Sequence, residues 1–184
     1  QQGENIQVAI NLSVHDLLDE SLPIKIQRAL NKVSLPVQAL SLEVTESAVM
    51  ADRGVVVEVL KALKKLGLKL AIDDFGTGQS SLAYLRDLPV DEVKIDRAFI
   101  KEIDSNSGDA LIVNAAVRLS HGLGFTVTAE GLENVSGLTI LEGCQCDTIQ
   151  GYYFSKPLAA EAFDQWRQEF HLHQNKWWQS AKEQ

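Results

Sequence analysis

The chain has 184 residues, 45% of them hydrophobic, enough for one domain with a real core. Its net charge of −8 argues against a broad basic surface for DNA and against a polybasic membrane anchor. Two closely spaced cysteines, Cys144 and Cys146, argue against a disulfide framework, and no apolar run nears the roughly 18–20 residues of a membrane span, so a cytoplasmic setting is expected.

Short aliphatic runs alternate with longer amphipathic stretches. Strands are expected at Ile6–Leu12, Ala39–Val44, Leu68–Ile72, Glu92–Ile95, Thr126–Ala129 and Thr148–Tyr152. Helices are expected at Leu22–Val33, Val55–Leu66, Ser80–Leu88, Ala110–Leu123, Ser136–Leu141 and Ala159–Phe170. Gly67, Gly122 and Gly124 serve as helix stops. Strict alternation predicts parallel strands joined by helical crossovers.

The strands are apolar on one face only. Ile6, Val8, Ile10 and Leu12 oppose Gln7, Ala9, Asn11 and Ser13, and Leu40, Leu42 and Val44 oppose Ser41, Glu43 and Thr45. An open doubly wound sheet buries both faces, so a barrel with outer helices and a polar interior fits better. A (β/α) barrel needs eight strands, and six are counted. The expected fold is therefore α/β, a modified TIM barrel missing its first two strands. Residues 1–170 are expected to form this domain, with 171–184 a polar and aromatic tail.

Asp73-Asp74 ends the third strand, and two adjacent carboxylates there ask for a counter-charge. The polar-face residues nearest the strand C-termini are Asn11, Glu43, Asp73, Lys94, Glu130 and Gln150, with Asp74 and Glu46 just beyond. Barrel enzymes place their sites on that rim. The donors are carboxylates and carboxamides without histidine or cysteine, which suits Mg²⁺ or Mn²⁺ rather than zinc. Several carboxylates can hold two ions and drive in-line phosphodiester hydrolysis. Lys94 either neutralises phosphoryl charge or steadies the attacking water, and a structural ion pair with Asp96 or Asp73 is compatible with that role. The Asp74-Phe75-Gly76 string has no kinase companions: neither a glycine-rich nucleotide loop nor a His-Arg-Asp loop occurs.

Six ordered motifs carry a resemblance. They are Asn11-Leu-Ser13, Leu42-Glu-Val-Thr-Glu-Ser47, Asp73-Asp-Phe-Gly-Thr-Gly78, Val93-Lys-Ile-Asp96, Ala129-Glu-Gly-Leu-Glu133 and Gln150-Gly-Tyr-Tyr-Phe-Ser-Lys-Pro157. Together they closely resemble the EAL-domain phosphodiesterases, modified TIM barrels that hydrolyse cyclic di-GMP to linear pGpG with Mg²⁺ or Mn²⁺. The resemblance implies that Asn11, Glu43 and Asp73 ligate metal, with Asp73 bridging two ions and Asp74 serving the second. Lys94 and Glu130 would act beside the hydrolytic water, and Gln150, Ser13 and Glu133 would contact substrate. Glu46 would hold the loop of Phe75, Gly76, Thr77 and Gly78, which contributes to a homodimer contact in active members. The segment would lie in the cytoplasm, alone or as part of a larger sensor protein, without inserting in the membrane. The family's Glu-Ala-Leu tripeptide does not occur in these residues. Two other functions stay open: a non-catalytic cyclic di-GMP receptor or interaction module, and an inactive fragment.

Overall fold

The alternation read from the apolar runs is realised in a computed structural model, which describes residues 6–78 and 85–180. Its strands are β1 (Val8–Leu12), β2 (Leu40–Thr45), β3 (Lys69–Phe75), β4 (Glu92–Ile95), β5 (Thr126–Glu130) and β6 (Thr148–Gln150). The described helices are α1 (Val14–Leu17), α2 (Leu22–Val33), α3 (Glu46–Val49), α4 (Arg53–Lys65), α5 (Arg97–Ile100), α6 (Ser107–Gly122), α7 (Val135–Gly143) and α8 (Ala160–Ser180). The expected Ser80–Leu88 helix falls largely outside the described residues. Sheet order follows chain order, and the pairs β1–β2, β2–β3, β3–β4 and β5–β6 are parallel. The chain is thus α/β, with six strands where a complete (β/α) barrel has eight.

Two compact units make up the chain, Gln1–Ile95 with Leu119–Val127, and Asp96–Arg118 with Thr128–Gln184. In the first, the apolar parity of β2 and β3 points into a core. Leu42, Val44, Leu68, Leu70 and Ile72 are buried together with Leu60 and Leu63 of α4. Each such side chain contributes about 1.5–3 kcal/mol through the surface it removes from water. Local chemistry sets the ends of α4: the Asp52 carboxylate accepts from the amides of Gly54 and Val55, and Gly67 ends it at φ 88°.

β1 departs from expectation. Its apolar face was to be covered, yet Val8 and Ile10 are 55% and 48% exposed, and only Leu12 joins the core. The strand stands at the edge of the sheet, next to β2 alone. Alternation marks a face as apolar but does not supply the layer that covers it.

In the second unit, Leu132, Leu138, Leu141, Val113, Val117 and Ile103 are buried. Along α8, Trp166 stacks on Phe163 and on Phe170 at centroid distances of 6.0 and 4.9 Å, and Phe154 meets Phe170 edge-on. The spacing of these three residues places them on one helix face. Nothing in the sequence from Ala160 to Ser180 breaks a helix, since the stretch holds neither glycine nor proline. The helix therefore runs on past Phe170. No described helix is long and apolar enough to cross a membrane.

Candidate active site

The first unit gathers charge at the C-terminal ends of β2, β3 and β4. Lys94 Nζ donates to Glu43 Oε1 at 2.7 Å and lies 3.7 Å from Asp73 Oδ1. All three side chains are largely shielded, at 8%, 12% and 15% exposure for Lys94, Glu43 and Asp73. Asn11 stands beside Glu43 in the β1–β2 register, so a carboxamide neighbours the carboxylate. One ammonium between two carboxylates leaves an excess negative charge. Asp96 takes no part: its carboxylate accepts from the amide of Ala98 at 2.7 Å and caps α5.

Successive residues of a regular strand point to opposite faces, so adjacent aspartates would normally diverge. Here the β3–β4 register shifts between Ile72 and Phe75, and Asp74 adopts φ 55°. Aspartate tolerates this left-handed conformation better than most residues, and a bulge of this kind re-aims side chains. The Asp73 carboxylate accepts from the Asp74 amide at 3.0 Å, which holds the bulge locally.

The loop that follows is anchored from α3. Glu46 is buried, and its carboxylate accepts from the Gly76 amide at 3.2 Å. A Cβ on Gly78 would sit 2.6 Å from Glu46 Oε1, so glycine lets the loop press on that carboxylate. Thr77 closes the turn by donating its hydroxyl to the carbonyl of Asp74 at 2.9 Å. Phe75 pairs with Ile95 in β4 and packs half-buried on the core.

Ser13 caps α1 in a reciprocal box: its hydroxyl donates to Asp16 Oδ2 at 2.6 Å and accepts from the Asp16 amide. Hydrogen bonds from Ser13 hold the Asp16 carboxyl below its ordinary range. Thr45 caps α3 in one direction, its hydroxyl accepting from the Ala48 amide at 3.2 Å.

In the second unit, Glu130 and Gln150 are register partners at the ends of β5 and β6. They line a groove of about 870 Å³ together with Glu133, Arg97, Tyr152 and Trp166. That volume suits a ligand of nucleotide size. The groove couples an acidic and carboxamide edge to an aromatic wall. Cys146 also lines it, and burial pushes its thiol up to about 11. Arg97 is not singled out by sequence reasoning. The usable signal is its place directly after Asp96, the cap that ends a strand and opens a helix.

The donor set fits a hard divalent cation, because every candidate ligand offers oxygen. Among the described residues no three His, Cys, Asp or Glu side chains form a ready-made cage. The first-unit cluster instead combines two carboxylates with the carboxamide of the neighbouring strand.

Comparison with known proteins follows the same residues. The family model described as "EAL domain" matches residues 1–157. The chain is 41% identical over 164 residues to the signaling protein YkoW of Bacillus subtilis, covering 89% of this chain and 20% of that protein. It is 41% identical over 162 residues to the cyclic di-GMP phosphodiesterase NbdA of Pseudomonas aeruginosa, covering 88% of this chain and 21% of that one. The chain thus spans about a fifth of the length of these relatives. Among solved structures, the PaMucR phosphodiesterase in complex with c-di-GMP matches with a TM-score of 0.81 and 40% identity, over 85% of this chain and 64% of that one. The EAL domain of Mycobacterium smegmatis DcpA matches with a TM-score of 0.82 and 37% identity, over 88% and 72%. The chain belongs to the EAL domain family.

Proposed function

We propose that this chain forms the greater part of a cyclic di-GMP phosphodiesterase domain, one that hydrolyses its substrate to linear pGpG with two Mg²⁺ or Mn²⁺ ions. The observation that carries the reading is the shielded Lys94 between Glu43 and Asp73, beside the bulge that re-aims Asp74. A structural ion pair needs one carboxylate per lysine, and this cluster keeps a surplus. Cyclic di-GMP as substrate is supported by the relatives named phosphodiesterases and by neighbours solved with that nucleotide.

Asn11, Glu43, Asp73, Asp74 and Glu130 would supply the oxygen ligands for these ions. When bound, such ions lower the pKa of water and neutralise the leaving oxygen. The water oxygen bonds to phosphorus, the P–O3′ bond breaks, and the 3′ oxygen leaves as a hydroxyl. Lys94 offsets the repulsion between Glu43 and Asp73 and steadies the attacking water. Gln150, Ser13 and Glu133 contact the nucleotide, while Glu46 keeps the Phe75–Gly78 loop in place for a homodimer contact. The site works in the cytoplasm.

The test is chromatography of cyclic di-GMP after incubation with the protein carrying this chain and Mn²⁺. Linear pGpG is expected, with at least about a 100-fold loss in Asp73→Asn and Glu130→Gln. Full activity in both variants overturns the residue roles. Nucleotide binding without turnover in the unaltered protein assigns a receptor instead.

A further inference from the structure

The ends of β5 and β6 are joined by more than strand pairing. Beyond Glu130, the amides of Gly131 and Leu132 both donate to the carbonyl of Gln150, at 2.8 and 3.1 Å. The carbonyl of Leu132 then accepts from the amide of Tyr153 at 2.9 Å. Leu132 thus uses its amide on Gln150 and its carbonyl on Tyr153, and the residue is only 1% exposed.

Three glycines clear the space this turn occupies. A Cβ on Gly151 would lie 2.1 Å from the Leu132 oxygen and 2.3 Å from its nitrogen, a clash with backbone that no rotamer relieves. A Cβ on Gly137 would meet Leu132 Cδ1 at 2.8 Å and Ile103 Cγ2 at 3.2 Å. Gly131 itself turns at φ 84°, with a Cβ position 2.5 Å from the Cβ of Arg97. The flanking residues of this clasp, Glu130 and Gln150, are the polar pair on the groove. Ordinary strand pairing ends at that pair, so the clasp resists its rotation and slip.

We propose that the Leu132 turn, with Gly151 and Gly131, is a positioning clasp that sets Glu130 against Gln150. Its kinetic consequence rests on the phosphodiesterase reading; its structural part does not. A displacement near 1 Å at reacting groups costs up to about 100-fold in rate.

The experiment compares Gly151→Ala, Leu132→Met and Leu63→Ala in the protein carrying this chain. Hydrogen exchange, Tm, kcat and KM are measured with cyclic di-GMP and Mn²⁺. In Gly151→Ala the Leu132 and Tyr153 amides are expected to exchange at least about 10-fold faster, since their bonds open locally. Its kcat should fall about 10- to 100-fold, with KM moving less than kcat. Leu132→Met keeps the backbone bonds and side-chain volume, so its kcat should match the unaltered protein. Leu63→Ala removes a buried side chain of the first unit, and should lower Tm while leaving kcat in place. Unchanged exchange in Gly151→Ala, an opened clasp with unchanged kcat, or an equal kcat loss in Leu63→Ala each overturns the proposal. If Gly151→Ala does not fold, Gly137→Ala presses the same turn against a flexible side-chain tip, and the same readouts decide. An unaltered protein without turnover removes the phosphodiesterase reading, and exchange alone then judges the clasp.

Discussion

Replacing Lys94 by methionine removes the ammonium that contacts Glu43 and Asp73 in a shielded cluster. The ammonium lies 2.7 Å from Glu43 and 3.7 Å from Asp73. At an effective dielectric near 20 these contacts represent roughly 6 and 4 kcal/mol of gross attraction. Most of that is offset by the desolvation of the three charges. What counts is the state left behind: two carboxylates at 12% and 15% exposure with no ammonium between them. Breaking a buried pair from one side costs about 3–5 kcal/mol. For a domain of this size, roughly 2–4 °C per kcal/mol gives a Tm drop of about 6–20 °C. Calorimetry in EDTA and then in Mn²⁺ measures it. If the cluster binds the ion, Mn²⁺ at 100 times its Kd returns about 2.7 kcal/mol, and the gain exceeds that of the unaltered protein because no ammonium competes. Combining Lys94→Met with Glu43→Leu should recover much of the loss even in EDTA, since an apolar replacement of the pair is near neutral. A Tm for Lys94→Met within about 2 °C of the unaltered protein in EDTA would refute the reasoning.

Two further outcomes follow from single contacts. Glu46→Ala strands the Gly76 amide and should cost about 1–3 kcal/mol, read as roughly 10- to 100-fold faster exchange at Gly76; an unchanged rate would show that the loop does not depend on this carboxylate. The Cys146 thiol titrates near 11 against 9.0 when unburied, so iodoacetamide labelling at pH 9 should lag far behind that of a free thiol. Because the folded value is raised, the stabilisation is complete below pH 9 and is lost as pH rises towards 11. Chemical denaturation at pH 8, 9.5 and 11 should show this fall, and Cys146→Ser should flatten it.

Local rules written in the sequence carry far where one residue type meets one demand. The apolar period and its stops place α2 and β4 at the residues expected, and alternation identifies the core face of β2 and β3. The oxygen-only donor set is legible because parity names one polar residue at each strand end. Those are properties of short segments, and short segments obey propensity and period.

Other features exist only once separate segments meet. Lys94 and Asp96 share a parity in the sequence, yet the lysine reaches across to β2 and β3 because their carboxylates stand beside it, while Asp96, just past β4, is taken by the first turn of α5. The bulge at Asp73-Asp74 depends on how β3 pairs with β4, and the exposure of Val8 and Ile10 on what lies beside β1. Only the fold shows that Arg97 and the Leu132 backbone stand against Gly131 and Gly151. The sequence by itself determined which groups the chain can bring to a rim and what ion they suit. Tertiary structure alone decided which charges pair, which way Asp74 turns and what holds Glu130 beside Gln150, because contact between distant segments is set by register and packing.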